Sequence, residues 1–473
     1  MNQNVLRSKV FWAMVIISSA VTAFAVLMIM DISEKKLQAK NPFQLRVPIT
    51  DEIDDPAIWG HNFPDHYHMY LQTVDQTRTK YGGSEALPHI PTDKDPRTTV
   101  ATSRLDEDPR LKTMWAGYAF SIDFREERGH SHMLSDQLFT ERQQVVKQPG
   151  ACLNCHASTY VLMKQLGNGN IMEGFDKMNQ LPYFEAAKSV KHPVSCIDCH
   201  EPQTMKLRIT RPAFLEGIKV AKKAEGISEY DINKHATPQD MRVFVCAQCH
   251  VEYFFKGKEK RLTFPWANGL KADKILALYE DNGHKDWVHK ITGASVLKAQ
   301  HPEFEMYSQG IHARSGVSCV DCHMPYKRVG AMKLTDHHIR SPVLNLNRSC
   351  QTCHQWPEAE LKARIETIQD RTFEVRGVAL NALTQYIEQL GASKDKITNQ
   401  QDLEKAQNFQ KKAQFLVDFV EAENSMGFHA PEEALRILSL SIDYTRQGQN
   451  FLNQIPKDES AVKNEKRNEK PKH

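Results

Sequence analysis

Five copies of one pentapeptide, Cys-x-x-Cys-His, constrain this chain more than anything else in it. Their thiol pairs are Cys152 and Cys155, Cys196 and Cys199, Cys246 and Cys249, Cys319 and Cys322, and Cys350 and Cys353. The histidines that close them are His156, His200, His250, His323 and His354. Two thiols that add across porphyrin vinyl groups, followed at once by an imidazole that becomes an axial iron ligand, are what a c-type haem site requires. Ten cysteines are present and five motifs use ten, so none remains for a disulfide. Structural zinc also uses Cys-x-x-Cys pairs, but it has no need of a histidine directly after every second cysteine. The pattern therefore predicts five covalently bound haems.

Haem also bears on the fold. Apolar residues make up 40% of the chain, below the ~45–50% usual for globular proteins. Each porphyrin presents two apolar faces that can pack in place of several side chains. The motifs begin 44, 50, 73 and 31 residues apart, without a shared period, which excludes a repeat array. The expected fold is mainly α, a multihaem cytochrome c with a haem-filled core and long C-terminal helices. The expected order is a signal peptide or membrane anchor over 1–31, a linker over 32–58, the pentahaem core over 59–356, a long-helix region over 357–455 and a disordered charged tail over 456–473. Apolar residues at helical spacing predict helices over 357–390, 401–425 and 431–454, with Gly391 as a stop and Pro431 as a start.

Residues 10–30 form a run of 21 residues without a charge, preceded by Arg7 and Lys9. That length spans a bilayer and the flank is that of an export signal. Small residues at Thr22 to Ala25 suit cleavage, while the apolar run continues past them. Cleaved signal and retained tether both fit, and either predicts a periplasmic protein. A net charge of +3 on 61 basic and 58 acidic residues gives no footing for a nucleic-acid partner.

Of 21 histidines, five are spent in the motifs and 16 remain. A second histidine on an iron makes an electron-transfer haem, whereas a free position lets the iron bind substrate, so ligand counting leaves both an enzyme and a pentahaem carrier open. Two features favour the enzyme. The chain spends about 95 residues per haem (473/5), more than wrapping a porphyrin needs. Polar residues also gather near motifs: Glu252 and Tyr253 directly after His250, and Lys298, Gln300 and His301 in the longest gap.

These residues lie in stretches that resemble the pentahaem cytochrome c nitrite reductases, the ammonia-forming enzymes of periplasmic nitrite respiration. The stretches are YGGSE at 81–85, DPRL to REERGH across 108–130, CAQCHVEYFF at 246–255, LKAQHPEFE at 297–305, GIHARSGVSCVDCHMP at 310–325 and HAPEEALRIL at 429–438. The resemblance implies that the first haem carries the open site and that Arg142, Tyr253 and His301 line it. It implies second axial ligands at His337, His130, His429 and His312 for the second to fifth haems, with His132 and His338 as neighbouring rivals. It implies a calcium ion held by the side chains of Glu252 and Gln300 and the backbone carbonyls of Tyr253 and Lys298, hard oxygen donors that suit that ion. It further implies nitrite as substrate, a homodimer, and a membrane-anchored multihaem quinol dehydrogenase as electron donor. The chain departs from the family at one place. Most members end the first motif in Lys where this chain has His156, which exchanges an amine for an imidazole on the iron.

Overall fold

The computed structural model describes residues 9–40, 45–75 and 77–456. The expected charged tail lies outside the described residues from Lys457 onward, as does Arg7 of the export signal. The fold is mainly α. Among the described residues, strands occur only as short antiparallel pairs, the longest joining Tyr326–Val329 to Met332–Thr335.

The first helix, α1 (Lys9–Lys40), runs for 32 residues, about 48 Å at 1.5 Å per residue. It carries the uncharged run, and its apolar side chains pack on nothing else in the chain. It also continues through the first part of the expected linker. Globular structure begins at the helix Pro56–Asn62, whose start is capped by the Asp55 carboxylate on the Ala57 N–H. Trp59 of that helix is buried with Ile49, Val161 and Ile197, which ties the arm to the second haem motif.

Three long helices close the chain: α2 (Glu358–Ser393), α3 (Gln400–Ala422) and α4 (Pro431–Gln454). Pro431 opens α4 as the sequence suggests, since a proline at the first helical position gives up a hydrogen bond the helix does not use. Gly391 is not a stop. The helix runs through it, and a Cβ there would meet Ile291 Cγ2 at 2.5 Å. The glycine is there to let two segments touch.

The long helices do not stand apart from the haem-bearing part. Leu380, Leu383, Phe415 and Phe419 share one continuous core with Leu105, Trp115, Leu153 and Phe244. A buried charge network reinforces the seam. Glu421 on α3 takes Arg376 of α2 and, at 3.5 Å, Arg104, while Arg376 also reaches Asp108 at 3.1 Å. Removing one member would leave a buried charge uncompensated, at a cost of about 3–5 kcal/mol.

Candidate active site

Each Cys-x-x-Cys-His motif sits on, or directly after, one turn of helix. The turns are Leu153–His156, Cys196–Cys199, the end of Pro238–Ala247, Cys319–His323 and the turn after Leu346–Ser349. In a helical turn, residues three and four apart share a face, so both thiols and the imidazole point the same way. Two motifs carry their own cap. Ser195 with Asp198, and Ser318 with Asp321, form capping boxes around Ser-Cys-x-Asp-Cys-His. That signature stands in the sequence as Ser-x-x-Asp, a supporting feature that motif reading alone passed over. Asp198 is further held by Arg211 at 2.8 Å, a pair almost wholly buried.

Four of the five motif histidines face a second imidazole. Ring centroids lie 6.3 Å apart for His200 and His337, 6.4 Å for His250 and His130, 6.3 Å for His323 and His429, and 6.3 Å for His354 and His312. Two imidazoles on opposite sides of one metal, with metal–nitrogen bonds of about 2 Å, have centroids roughly 6 Å apart. The residues present therefore fit an iron between each pair. The other ring nitrogen is often anchored as well. His200 Nδ1 donates to the Met205 carbonyl (2.8 Å), His337 Nδ1 to Thr335 (2.9 Å) and His323 Nδ1 to Arg340 (3.2 Å). Such bonds leave Nε2 with its lone pair for a metal. His132 and His338 point elsewhere, their Nε2 atoms bonded to the Val74 and Asp75 carbonyls.

His156 has no imidazole facing it at that spacing among the described residues. Its Nδ1 is buried with no partner at bonding distance, although the Met133 backbone lies close enough to act on it. Around the first motif are charged and phenolic groups instead. Arg142 is held in place by its Nη1 bond to the Asp123 carbonyl (2.6 Å), with its guanidinium 4.5 Å over the Phe120 ring. The Asp123 carboxylate fixes the start of the short helix Glu141–Val145 through Thr140 Oγ1 (2.7 Å) and the Glu141 N–H (3.0 Å). Burial holds the Arg142 guanidinium below its ordinary value, opposed mainly by Asp123, and Tyr253 is among the groups that act on it. Burial also drives the Tyr253 hydroxyl well above its usual range, beside Cys152 and Cys155. His301 is close enough to act on His156, as is Arg142. Arg142, Tyr253 and His301 thus all lie near the first motif, with Tyr253 and His301 also bordering the third.

One residue here was not legible beforehand. Glu303, in the helix Glu303–Gln309, sets one carboxylate oxygen 3.9 Å from His301 Nδ1 and the other 3.9 Å from His250 Nδ1, and accepts a bond from Asn424 (2.6 Å). Burial raises its pKa, but His250 and His301 outweigh that and hold it well below the carboxylate range.

The four calcium candidates also meet. The Glu252 carboxylate, 0% exposed, accepts from Tyr279 Oη (2.9 Å) and the Gln300 N–H (2.6 Å), and the Gln300 amide lies 3.3 Å from the Lys298 carbonyl. Tyr253 follows Glu252 directly. No basic side chain bonds that carboxylate, and burial, with Glu305 and Asp286 nearby, pushes it well above its ordinary value. A buried carboxylate beside carbonyl and amide oxygens is a set that a hard cation fits. The Lys298 ammonium points away, to Asp418 at 3.0 Å.

The motifs themselves form a connected series. Cys155 lies beside Cys249, and Cys246 beside Cys319. Cys322 interacts with Cys350, and Cys199 with Cys246 and Cys249. The order is first, third, fourth and fifth motif, with the second branching at the third.

A mainly helical chain with five Cys-x-x-Cys-His turns and four facing imidazole pairs has the fold of a multihaem c-type cytochrome. The cytochrome c552 family profile matches residues 55–473. The cytochrome c-552 of Bacteroides fragilis is 33% identical over 458 residues, covering 95% of this chain and 87% of its own. That of Parabacteroides distasonis is 36% identical over 394 residues, covering 82% and 74%. The catalytic subunit of the cytochrome c nitrite reductase from Desulfovibrio desulfuricans, a protein with two calcium sites, superposes with a TM-score of 0.73 at 26% identity over 87% of this chain and 88% of its own. The chain belongs to the cytochrome c552 family and is an enzyme, an oxidoreductase of the cytochrome c nitrite reductase type.

Proposed function

We propose that the chain reduces nitrite to ammonium at the first haem and that the other four haems feed it electrons. The observation that carries this reading is the contrast between one motif ringed by Arg142, Tyr253 and His301 and four motifs that face an imidazole. When bound, the first haem supplies an iron with a free axial position, and the five together supply an electron store. Nitrogen passes from +3 in nitrite to −3 in ammonium, so six electrons and a matching supply of protons must arrive.

Arg142 and His301 donate hydrogen bonds to the nitrite oxygens. Breaking an N–O bond builds negative charge on oxygen, and fixed cationic or N–H donors aimed there lower that barrier. Arg142 is suited because Asp123 and Phe120 hold it still, so little reorganisation is needed as the charge develops. His301 delivers the proton, since imidazole is the side chain that exchanges protons near neutral pH. Glu303, 3.9 Å from the His301 Nδ1, places a negative charge on that side of the ring. Tyr253 stays protonated because burial disfavours its phenolate, and it donates to the later, partly reduced nitrogen species. Calcium held by Glu252, Gln300 and the Tyr253 and Lys298 carbonyls fixes the two segments that carry Tyr253 and His301 and adds positive potential beside them.

The facing pairs His200 with His337, His250 with His130, His323 with His429 and His354 with His312 would hold the irons of the remaining haems. The protein works on the periplasmic side, with α1 as a retained tether: its uncharged run of 21 residues exceeds the 7–15 of a signal-peptide core. It pairs as a homodimer along α2, where Phe373 and Val378 are exposed, and takes electrons from a membrane-anchored multihaem quinol dehydrogenase. The test is the stoichiometry of turnover with a reduced viologen dye. Six dye equivalents oxidised per nitrite, with ammonium as product, are expected; one equivalent per nitrite with nitric oxide released would overturn the reading.

A further inference from the structure

Among the eight histidines of the four facing pairs, His429 alone has a carboxylate at hydrogen-bonding distance from its Nδ1. The acceptor is Glu423 Oε1, 2.5 Å away, on a side chain that is 0% exposed. Where Nδ1 partners occur on the other members they are neutral carbonyls, on His200, His337 and His323. The Glu303 carboxylate stands 3.9 Å from His250, beyond a hydrogen bond.

The local chain is built to make this contact. Glu423 caps the C-terminal end of α3, and Met426 (φ 49) and Gly427 (φ 78) then turn the backbone back so that His429 returns to it six residues later. A Cβ on Gly427 would meet Thr372 Oγ1 at 2.5 Å, so the turn is seated directly on α2. Ser425 holds the same carboxylate, its N–H donating to Oε1 (3.2 Å) and its hydroxyl to Oε2 (2.8 Å), and its hydroxyl also accepts the His429 N–H (3.0 Å). No lysine or arginine is among the groups bonded to Glu423.

We propose that Glu423 is a tuning residue that makes the haem at Cys319 and Cys322 the lowest in reduction potential of the four that face an imidazole pair. The proposal rests on the reading that His323 and His429 are that haem's axial ligands. A carboxylate drawing on the Nδ1 proton gives the imidazole imidazolate character, and Nε2 becomes a stronger donor to the metal. Stronger donation and a fixed negative charge in a dry site both favour the ferric state over the ferrous. Nearby Glu303 adds to the same field, since it too acts on His429. In the series of motifs this haem lies between the third and the fifth. A haem of lower potential at that point would yield its electron to either neighbour, the third or the fifth.

The test uses the full pentahaem protein. Glu423→Gln keeps an oxygen to accept the Nδ1 hydrogen and removes the charge. In a spectroelectrochemical titration it should move one haem to higher potential and leave four unmoved; no movement, or a uniform movement of all five, would overturn the proposal. A measurement on the unaltered protein stands whether or not that variant matures. In near-infrared magnetic circular dichroism of the oxidised protein, one of four low-spin haems should show a charge-transfer band displaced from the other three. Four coincident bands would overturn the proposal while leaving the axial pairs intact. Fewer than four low-spin haems would instead remove the ligand assignment on which it rests, and the proposal with it.

Discussion

The first haem motif and the fourth lie in one core and use the same turn of helix, yet their surroundings are opposites. At the fourth, His323 faces His429 at 6.3 Å, and both Nδ1 atoms are tied down, one to a carbonyl and one to a carboxylate. At the first, His156 faces no imidazole at that spacing among the described residues, its Nδ1 has no bonded partner, and Arg142, Tyr253 and His301 gather around it. The same Cys-x-x-Cys-His turn thus sits in two kinds of surroundings. What distinguishes them is which distant segment the fold brings across: residues 423–429, ending α3, in one case, and residues 140–142, 253 and 298–301 in the other.

The strongest way to break this comparison is to remove a group that the proposal places at the open site. His301→Ala takes away a proton source and a hydrogen-bond donor, each worth ~10²–10³-fold in rate. Nitrite turnover should fall by at least that much with five haems still attached. His156→Lys keeps an axial nitrogen and the whole distal pocket, and should cost less than tenfold, about 1.4 kcal/mol in barrier. Equal losses in the two variants, measured after haem content is verified, would mean the pocket residues are not where the chemistry occurs.

Calcium removal sharpens the contrast from the protein side. At a hundredfold excess over its dissociation constant the ion would stabilise the fold by about 3 kcal/mol. Without it, Glu252 and Glu305 are buried carboxyls, and burial pushes Glu305 up to about 8. A carboxyl raised in the folded state loses stability as pH climbs from its unfolded value, about 4.3, to its folded one. Chelation should therefore lower the thermal midpoint, and lower it more at pH 8 than at pH 6. A midpoint unmoved by chelator, or moved equally at both values, would argue against a cation there.

A gentler test opens a closed site. His312→Ala removes the imidazole facing His354, which would leave a second five-coordinate haem away from Arg142, Tyr253 and His301. The high-spin content should double while nitrite turnover does not rise. A gain in turnover would show that an open iron suffices and that the pocket adds little.

Much of this was legible in the sequence because the signals are local. Haem attachment is a five-residue pattern, and α2, α3 and α4 announce themselves by apolar spacing. Gly391 misled because a glycine in a helix has the same letter whether it ends the helix or, as here, admits Ile291. The pairing of imidazoles was reached only through family resemblance, since His429 lies 106 residues from His323 and His337 lies 137 from His200. Nothing in spacing or composition links such positions. Glu303 and Glu423 were not legible at all. Each matters for what its carboxylate touches after folding, and an acidic residue at a helix start or end is otherwise an ordinary cap.

The central claim is that one haem of five differs in coordination from the rest. Electron paramagnetic resonance of the oxidised protein, with and without added nitrite or cyanide, tests it most directly. The account predicts one high-spin haem whose signal is lost on adding the ligand, beside four low-spin haems that do not respond. Five low-spin haems with no response to either anion would contradict it and make the chain an electron carrier.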